Sequence, residues 1–330
     1  MRNTNQTIIQ HIENLSNSVL QYYLEHFQEM SYDKQFHFAS RIYLWNRDPE
    51  LKQHLFGDLR AEFTAQENPQ QALQIIVDRT KALQSHGSKN AAELRRPYFE
   101  RYPLLKMYVS LLFRVTFLET VYGIDARAEL LTLVSDAELA DYEQRLLADD
   151  DALAILSTHA INFLYLYRRI VKRDETGFDP AQFLELGRNH YDRTQKIHLQ
   201  LLIYLYTHCI LGESKFYYRT PTQHRETYLA MLDEIEQLIR DHFVDVNLDN
   251  KFEYLACCRL LGVSSLLEDA IYDEAGQSIS EDGTFLVDRH NNNPQITNND
   301  LDLSEHRNVL FILANQPFVP LERDALTARK

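Results

Sequence analysis

Two histidines of the chain occupy stripes of apolar residues, where an imidazole could exchange protons or hold a ligand. His208 lies in the stretch YLYTHCILGESKFYYR and recurs with Tyr204 at the spacing of an amphipathic helix. His159 lies in LSTHAINFLYLYRRI and recurs in the same way with Phe163. An unperturbed imidazole has a pKa of about 6.5, so both residues are candidate catalytic groups that point inward on predicted helices.

A third histidine, His306, precedes the apolar residues of the last predicted helix by one turn. The simpler interpretation is that all three are core histidines, each hydrogen-bonded to a carbonyl or a carboxylate. The functional interpretation is that at least two of them face one internal cavity, because perturbed titratable groups in a cavity commonly mark a site. The sequence leaves both interpretations open.

Glu253 is the fourth candidate catalytic residue. In KFEYLACCRLLG it shares a helix face with Ala256 and Cys257, so we expect its carboxylate to be partly buried and to need a partner or a raised pKa. Arg259 lies about 120° away around the same helix and is a candidate ligand-binding group. The alternative for Glu253 is a surface ion pair at the edge of the apolar face.

Acidic clusters form only incomplete metal motifs. Residues 149–151 are aspartates that begin like the motif that holds magnesium diphosphate, but Leu153 stands where the fourth carboxylate should be, and a helix N-terminus explains them better. The segment SISEDGTF places Asp282 in a calcium-type loop that ends at Arg289 instead of a bidentate glutamate. Because zinc spacings, Walker loops and dinucleotide fingerprints are also absent, the sequence predicts no metal and no cofactor.

One compact basic segment lies in an acidic chain. With 34 Lys and Arg against 48 Asp and Glu, the formal net charge is −14, which repels nucleic-acid backbones and predicts no nucleic-acid partner. Binding of another anion at the basic segment ranks last among the candidate functions, since a charge cluster of this size is usually a solvated helix face. The segment interleaves basic and aromatic side chains: Arg95, Arg96, Tyr98, Phe99, Arg101, Tyr102 and Lys106.

Helix signals are frequent and strand signals are rare. A chain of 330 residues with only 9 Gly and 9 Pro lacks the turn residues that an all-β protein needs. A capping side chain precedes a proline at Asp48–Pro49, Asn68–Pro69 and Asp179–Pro180. Ser135 and Glu138 have the spacing of a capping box. The predicted fold is all-α, with antiparallel helix pairs forming an α/α toroid or a curved helical solenoid.

The predicted helices leave two notable breaks. Residues 172–179, a charged stretch with a glycine, divide the chain into an N-terminal region, 1–173, and a C-terminal region, 174–330, which we expect to pack as one unit. Residues 276–304 are rich in Asn and Asp, and a connection of that length is usually functional or mobile. Helices are predicted at residues 5–29, 33–46, 49–66, 69–85, 104–122, 136–148, 151–173, 180–195, 196–211, 222–242, 251–262, 265–274 and 305–315.

Cysteine content and hydropathy favour a cytoplasmic protein without a membrane partner. Cys209, Cys257 and Cys258 are odd in number and include an adjacent pair, so we expect reduced, buried thiols. The N-terminal sequence MRNTNQTIIQHIENL lacks the apolar core of a secretion signal. The two most apolar windows, 108–117 and 199–212, fall short of the roughly 18 apolar residues of a membrane span.

The C-terminal third is similar to a known helical architecture. The segments THCILGESKFYYR, LDNKFEYLACCRLLG, SEDGTF and SEHRNVLFILA resemble helix pairs of the α/α-toroid class, which includes terpenoid cyclases, protein prenyltransferases and several uncharacterised bacterial families. The resemblance implies that the turn at Asp282 precedes a helix whose His306 points into the toroid. Because it covers about 130 residues and the chain lacks the Asp-x-Asp-Asp motif and the zinc ligands of those enzymes, it implies an architecture more than an activity.

Two classes of function lead. The first is a cavity protein, either a biosynthetic enzyme or accessory or a small-molecule binder, whose candidate catalytic residues line a pocket with Tyr204, Arg259 and Asp282 as ligand-binding groups. The 19 Tyr and 17 Phe residues suit an apolar or cationic small molecule, because aromatic faces attract cations. The alternative is a protein-binding or regulatory scaffold without catalytic activity that uses residues 276–304 to contact a protein partner. The sequence favours the cavity protein and leaves open whether it is an enzyme.

Overall fold

The computed structural model is built of helices joined by mostly short connections. Within the described part of the chain, the regular structure consists of α-helices and one 3-10 helix, and the only β-type pairing is an isolated bridge between Ile279 and Leu286. The prediction of an all-α protein is therefore confirmed. The structure describes all residues except 1, 53–69, 72, 76, 79–91, 175–177, 288–300 and 321–330.

The helices occur in a simple order along the described residues. They are α1 Arg2–Glu25, a 3-10 helix at Phe27–Glu29, α2 Tyr32–Asn46, α3 Ala92–Arg101, α4 Leu105–Tyr122, α5 Arg127–Leu133, α6 Asp136–Leu147, α7 Asp150–Ile155, α8 Ser157–Ile170, α9 Ala181–His190, α10 Lys196–Glu213, α11 Arg225–Asp241, α12 Leu248–Leu261, α13 Glu268–Gln277 and α14 Leu301–Asn315.

Two helix starts have the caps that the sequence predicts. Ser135 Oγ accepts a hydrogen bond from the backbone N of Glu138 (3.1 Å), and Glu138 Oε2 accepts one from the backbone N of Ser135 (2.9 Å), which completes the capping box of α6. At the start of α7, Asp149 Oδ1 accepts from the backbone N of Ala152 (3.0 Å). The aspartates at 149–151 therefore form a helix N-terminus. The predicted start at Asn68–Pro69 lies outside the described residues.

The helix predicted at 151–173 is two helices, because the chain is interrupted between α7 and α8. Side chains occupy the last carbonyls of α7: Tyr191 Oη donates to Ala154 O (2.8 Å), and Arg95 Nε donates to Ile155 O (3.3 Å). In a continuous helix these carbonyls would accept the amides of the next turn. Apolar periodicity could not reveal the interruption, since the residues on both sides of it are apolar.

Two short helices, α3 and α5, are missing from the sequence prediction. The segment of α3, AELRRPYFER, has few apolar residues and contains Pro97, so it shows no apolar stripe. This omission affects the candidate site, because α3 carries the first half of the basic segment.

The chain forms two compact units. Unit 1 comprises Met1–Gly57, Tyr217–Pro221 and Leu232–Lys330, and unit 2 comprises Asp58–Phe216 and Thr222–Met231. Each unit contains parts of both the N-terminal and the C-terminal region that the sequence predicts.

In unit 1, α14 packs against α1, α2 and α12. The contacts between α2 and α14 advance in the same direction along both helices. Near the start of each helix, His37 Nδ1 donates to Glu305 Oε1 (2.6 Å), and near their ends, Trp45 Nε1 donates to Gln316 O (2.9 Å). The two helices are therefore parallel neighbours.

In unit 2, α8 packs against α4 and α10. Asn162 contacts His208, and further along Arg169 Nη1 donates to Lys215 O (3.2 Å), so α8 and α10 are also parallel. The two helices approach closely where the backbone of Gly212 faces the ring of a tyrosine of α8. This close packing fixes the positions of the site residues that α8 and α10 carry.

Candidate functional site

In unit 2, a lysine and a histidine contact one aromatic ring, and an arginine lies close to both. The ring of Phe99, on α3, lies edge-on to the ring of His159, on α8, with 5.3 Å between the ring centres. Lys106, in the first turn of α4, places its Nζ 4.2 Å from the centre of the same Phe99 ring. Arg95, one turn before Phe99, is close enough to change the pKa of both His159 and Lys106. We call Arg95, Lys106 and His159 the basic site.

The interruption between α7 and α8 holds Arg95 in place. Its Nε donates to the carbonyl of Ile155, and the phenols of Tyr204 and Tyr191 lie near its guanidinium. Burial lowers the pKa of Arg95, and the two phenols act in the opposite direction. A guanidinium nevertheless stays charged at neutral pH, so Arg95 is a partly buried permanent cation.

The three members of the basic site suppress one another's positive charge. Burial, and then the charges of Arg95 and Lys106, lower the pKa of His159 to about 3. Burial and the charge of Arg95 also lower the pKa of Lys106. The imidazole is therefore neutral at pH 7. Its Nδ1 is buried and has no hydrogen-bond partner among the residues that the structure describes.

No carboxylate pairs with the basic site within the described ranges of the chain. The neighbouring Arg101 has such a partner, because it pairs with Asp149, and Tyr102 Oη also donates to Asp149 (3.1 Å). The basic segment that the sequence predicts therefore divides into two parts. One part neutralises an aspartate, and the other part, Arg95 and Lys106, faces a neutral histidine.

His208 lies beside the basic site on α10. Its Nδ1 donates to Oδ1 of Asn162 (2.6 Å), which follows His159 by one turn of α8. The ring of Tyr204 is 6.1 Å from the ring of His208, and the same tyrosine lies near Arg95. His159, Tyr204 and His208 therefore occupy one stretch of the α8 and α10 pair. Because Oδ1 of Asn162 can only accept, Nδ1 of His208 carries the hydrogen of this bond.

In unit 1, His306 belongs to a cluster around the buried carboxylate of Glu305. Glu305 Oε1 accepts from His37 and Oε2 accepts from Lys34 Nζ (3.1 Å). The ring of His306 lies 5.3 Å from the ring of His37. Burial lowers the pKa of His306 well below its usual value, and the positive neighbours His37 and Arg41 lower it further. Burial raises the pKa of Glu305.

Glu253 is inside unit 1, with only 2% of its surface exposed. It lies near Tyr217 and Cys257. Burial raises the pKa of both groups, and the negative charge of Glu253 raises both further. Tyr217 also bonds to Arg41, which contributes to the lowered pKa of His306. Arg41 thus lies between the surroundings of Glu253 and those of His306.

Arg259 and Asp282 have local partners in unit 1. Arg259 pairs with Glu268 and so joins α12 to α13. Asp282 Oδ1 accepts from Ser280 Oγ and from Thr284 Oγ1, both at 2.6 Å, and these bonds lower the pKa of Asp282. Each side chain has a structural explanation in these contacts. A role of either residue in ligand binding stays a prediction.

The predicted site residues fall into two groups, one in each unit. Sequence reasoning missed the most informative neighbours of these groups, because Arg95 was placed in the lowest-ranked function and Asn162, His37 and Glu305 were not singled out. The available signal was helical spacing for Asn162, which follows His159 by three residues, and adjacency in the sequence for Glu305, which precedes His306. Unit 2 contains His159, Tyr204 and His208, and unit 1 contains Glu253, Arg259, Asp282 and His306.

The described residues contain neither a metal-binding cluster nor a membrane-spanning helix. In the portion of the chain that is described, no group of three or more His, Cys, Asp or Glu is arranged to hold a metal ion. Arg289, the last position of the calcium-type loop, lies outside that portion. The three cysteines are buried, unpaired thiols. No helix among the described residues combines the length and the hydrophobicity that crossing a membrane requires.

No protein-family model, curated protein or solved structure matches the chain. The resemblance of the C-terminal third to α/α-toroid proteins therefore stays a prediction. The site has to be interpreted from its own chemistry.

Proposed function

We propose that unit 2 binds a small anionic molecule at the basic site. The observation that carries the proposal is the placement of Lys106 and His159 against the ring of Phe99, with Arg95 close to both and with no carboxylate partner in the described ranges. The proposal keeps the small-molecule binder expected from the sequence. It replaces the apolar or cationic ligand with an anion.

The electrostatics of the basic site favour an anion over a cation. A partly buried cation without a counter-ion is unfavourable, because burial removes hydration from the charged form. Burial is the largest cause of the lowered pKa values of Lys106 and His159, and the positive neighbours, which no carboxylate offsets, lower both pKa values further. A bound anion supplies the missing charge, whereas a cation would add to the repulsion.

Aromatic and polar groups next to the basic site can contact the rest of the ligand. Phe99 contacts both Lys106 and His159, and Tyr204 lies near Arg95 and near His208. These rings offer apolar surface, and Tyr204 and His208 add polar groups that orient a bound molecule.

The anion proposal is tested by thermal unfolding with and without added anions. Sulfate, phosphate and citrate are added at low millimolar concentration, below the range in which such salts stabilise proteins by exclusion from the surface. We expect an increase in Tm for the natural chain that is lost in Arg95→Gln. Arg101→Gln is the matched control, because Arg101 belongs to the same segment but is paired with Asp149.

Two results would overturn the proposal. One is the absence of any anion-dependent increase in Tm, which would favour the protein-binding scaffold instead. The other is an increase of the same size in the natural chain, in Arg95→Gln and in Arg101→Gln, which would locate the effect elsewhere.

The finer architecture is also a proposal. We infer that antiparallel helix pairs form an α/α toroid or a curved solenoid in a cytoplasmic protein. The parallel packing of α8 with α10 supports this arrangement, because the intervening helix α9, which packs against α10, has to return the chain between them. Three unpaired thiols support a reducing compartment. An experimental structure of the chain tests this arrangement of the helices.

A further inference from the structure

We propose that the anion at the basic site is a phosphoryl group bound as a dianion, the charge state of a phosphate monoester at neutral pH. The inference rests on the proposed function and goes beyond it by naming the chemical class of the ligand. It follows from the number of positive charges at the site and from the number and kind of its donors.

The charge of the basic site matches a dianion. Arg95 and Lys106 are the two basic side chains that carry a positive charge at neutral pH, and His159 is neutral because burial and these two cations lower its pKa to about 3. A monoanion such as a carboxylate would neutralise one of the two charges and leave the other without a counter-ion. A dianion neutralises both.

The donors of the basic site also suit a tetrahedral group with several oxygens. A guanidinium presents a planar fork of N–H groups, an ammonium presents a compact point charge, and an imidazole can add a single N–H. Arg95, Lys106 and His159 belong to three different helices, α3, α4 and α8, and Lys106 and His159 both contact the ring of Phe99. A carboxylate offers its oxygens in one plane, whereas a phosphoryl group offers three oxygens that point apart.

The acidic residues near the segment do not satisfy these donors. Asp149 is engaged by Arg101 and by Tyr102, and Asp151 lies 2.9 Å from Nε2 of His190. The charges of Arg95 and Lys106 are therefore available to an external anion, among the residues that the structure describes.

Phenyl phosphate and benzoate are the probes, since both carry a phenyl ring that Phe99 and Tyr204 can contact. Binding is measured by calorimetry with the full chain at about pH 7.5, where the second phosphate proton is lost because its pKa is about 6. We expect phenyl phosphate to bind at least about tenfold more tightly than benzoate, because the Coulomb energy doubles with the ligand charge.

Lys106→Gln provides a test of the ligand charge that does not depend on the absolute affinity. Removing one cation changes the logarithm of the affinity in proportion to the charge of the ligand. The fold loss for phenyl phosphate is therefore expected to be about the square of the fold loss for benzoate. Arg101→Gln is again the control, and we expect it to change neither affinity appreciably. Inorganic phosphate distinguishes a phosphate ester from the free ion, since only an ester gains contacts with the rings.

The outcomes separate this inference from the proposed function. If benzoate binds as tightly as phenyl phosphate and both lose affinity in Arg95→Gln, the site binds anions and the phosphoryl assignment is wrong. If neither probe nor inorganic phosphate binds, the proposed function fails as well. Preference for phenyl phosphate with an equal fold loss for both probes in Lys106→Gln would place the phosphate away from Lys106 and overturn the assignment.

Discussion

The surroundings of His159 are the most informative feature of unit 2. Its ring contacts Phe99, its pKa is lowered to about 3, and its buried Nδ1 has no partner among the residues described. A histidine in the core of a protein usually has a hydrogen-bonded partner. His159 instead has two cations nearby, which is why we place an anion beside it.

The first prediction concerns the stability of the protein in mild acid. The pKa of His159 is lower in the folded chain than its usual value, so between about pH 6.5 and pH 3 the unfolded chain binds more protons and the folded state loses stability as the pH falls. Each pH unit in that window costs on the order of 1 kcal/mol for this residue. We expect His159→Gln to lose less stability than the natural chain between pH 7 and about pH 5 in urea unfolding.

The control for this prediction is His11→Gln, which changes an exposed histidine outside the site. Its loss of stability with falling pH should match that of the natural chain. If His159→Gln behaves in the same way as His11→Gln, the imidazole of His159 is not held neutral by its neighbours.

The second prediction concerns the cysteines. Burial raises the pKa of Cys209 and of Cys257 well above the usual value and raises that of Cys258 to about 12. Thiols react as thiolates, so all three should be unreactive towards a disulfide reagent in the native protein and should react in denaturant. Fast reaction of even one thiol at neutral pH would show that its surroundings are open.

The inward orientation of His159 and His208 could be predicted at the scale of residues, because an apolar repeat of helical period depends only on nearby residues. The position of Arg95 could not. Its hydrogen-bond acceptor is the carbonyl of Ile155, distant in sequence, and that carbonyl is exposed by a helix interruption that leaves no trace in the pattern. The same reason explains why the basic segment looked like an ordinary solvated helix face.

The close packing of helices α8 and α10 holds the site residues in fixed relative positions. Gly212 of α10 lies against the ring of Tyr165 of α8, so that a side-chain carbon at this position would overlap the ring. Tyr165 is buried and its hydroxyl lies 3.3 Å from that of Tyr228, so the ring has little freedom to move. The absence of a side chain at Gly212 is therefore a packing requirement.

The third prediction follows from that packing. Gly212→Ala should destabilise the protein by about 1–3 kcal/mol, because the added methyl group forces Tyr165 or the helices to shift. Gly276→Ala, in helix α13 with open space around the added carbon, should instead stabilise by about 0.5–1 kcal/mol. Denaturant midpoints at constant slope give both values. Equal effects of the two substitutions would mean that α8 and α10 do not approach as closely as described.

The starts of helices could be predicted from the local sequence, but the interruption between α7 and α8 could not. The capping box of Ser135 and Glu138 acts within one turn, so the local sequence determines it. The interruption before α8 depends on Tyr191 and Arg95, which come from other parts of the chain. The short helix α3 has no apolar stripe, so periodicity could not predict it.

The net charge of the whole molecule affects the binding of small anions and of polyanions differently. The formal net charge of −14 opposes the approach of any extended phosphate backbone. The basic site has only two cations, and a neighbouring cation of the same segment, Arg101, is neutralised by Asp149. A small anion needs only the charges of the basic site, whereas a long polyanion also meets the net negative charge of the rest of the chain.

The fourth prediction is that the protein does not bind duplex DNA. Fluorescence anisotropy of a labelled duplex at about 0.15 M salt should show no binding, because too few phosphate contacts are available to release counter-ions. Phenyl phosphate in the same buffer serves as the positive control for the basic site. Salt-dependent binding of the duplex would show that a larger basic surface exists than the one described.

The fold class was predictable at the scale of the whole molecule because low glycine and proline content and helix caps are distributed along the whole chain. The chain segments that make up each of the two units could not be predicted. Unit 1 combines the first part of the chain with residues beyond 231, and contacts such as His37 with Glu305 join helices separated by most of the sequence. Local patterns contain no information about which distant helices become neighbours.

The most direct test of the anion site is the NMR spectrum of the histidine ring protons during addition of phenyl phosphate, with signals assigned from single His→Gln variants. An anion between Arg95 and Lys106 offsets the positive charges that help lower the pKa of His159, so we expect the His159 signal to move during the titration and its midpoint with pH to rise. The His306 signal, whose neighbours are Glu305 and His37 in unit 1, should stay in place. An unchanged His159 signal, or equal changes for both histidines, would contradict the proposal that the basic site binds the anion.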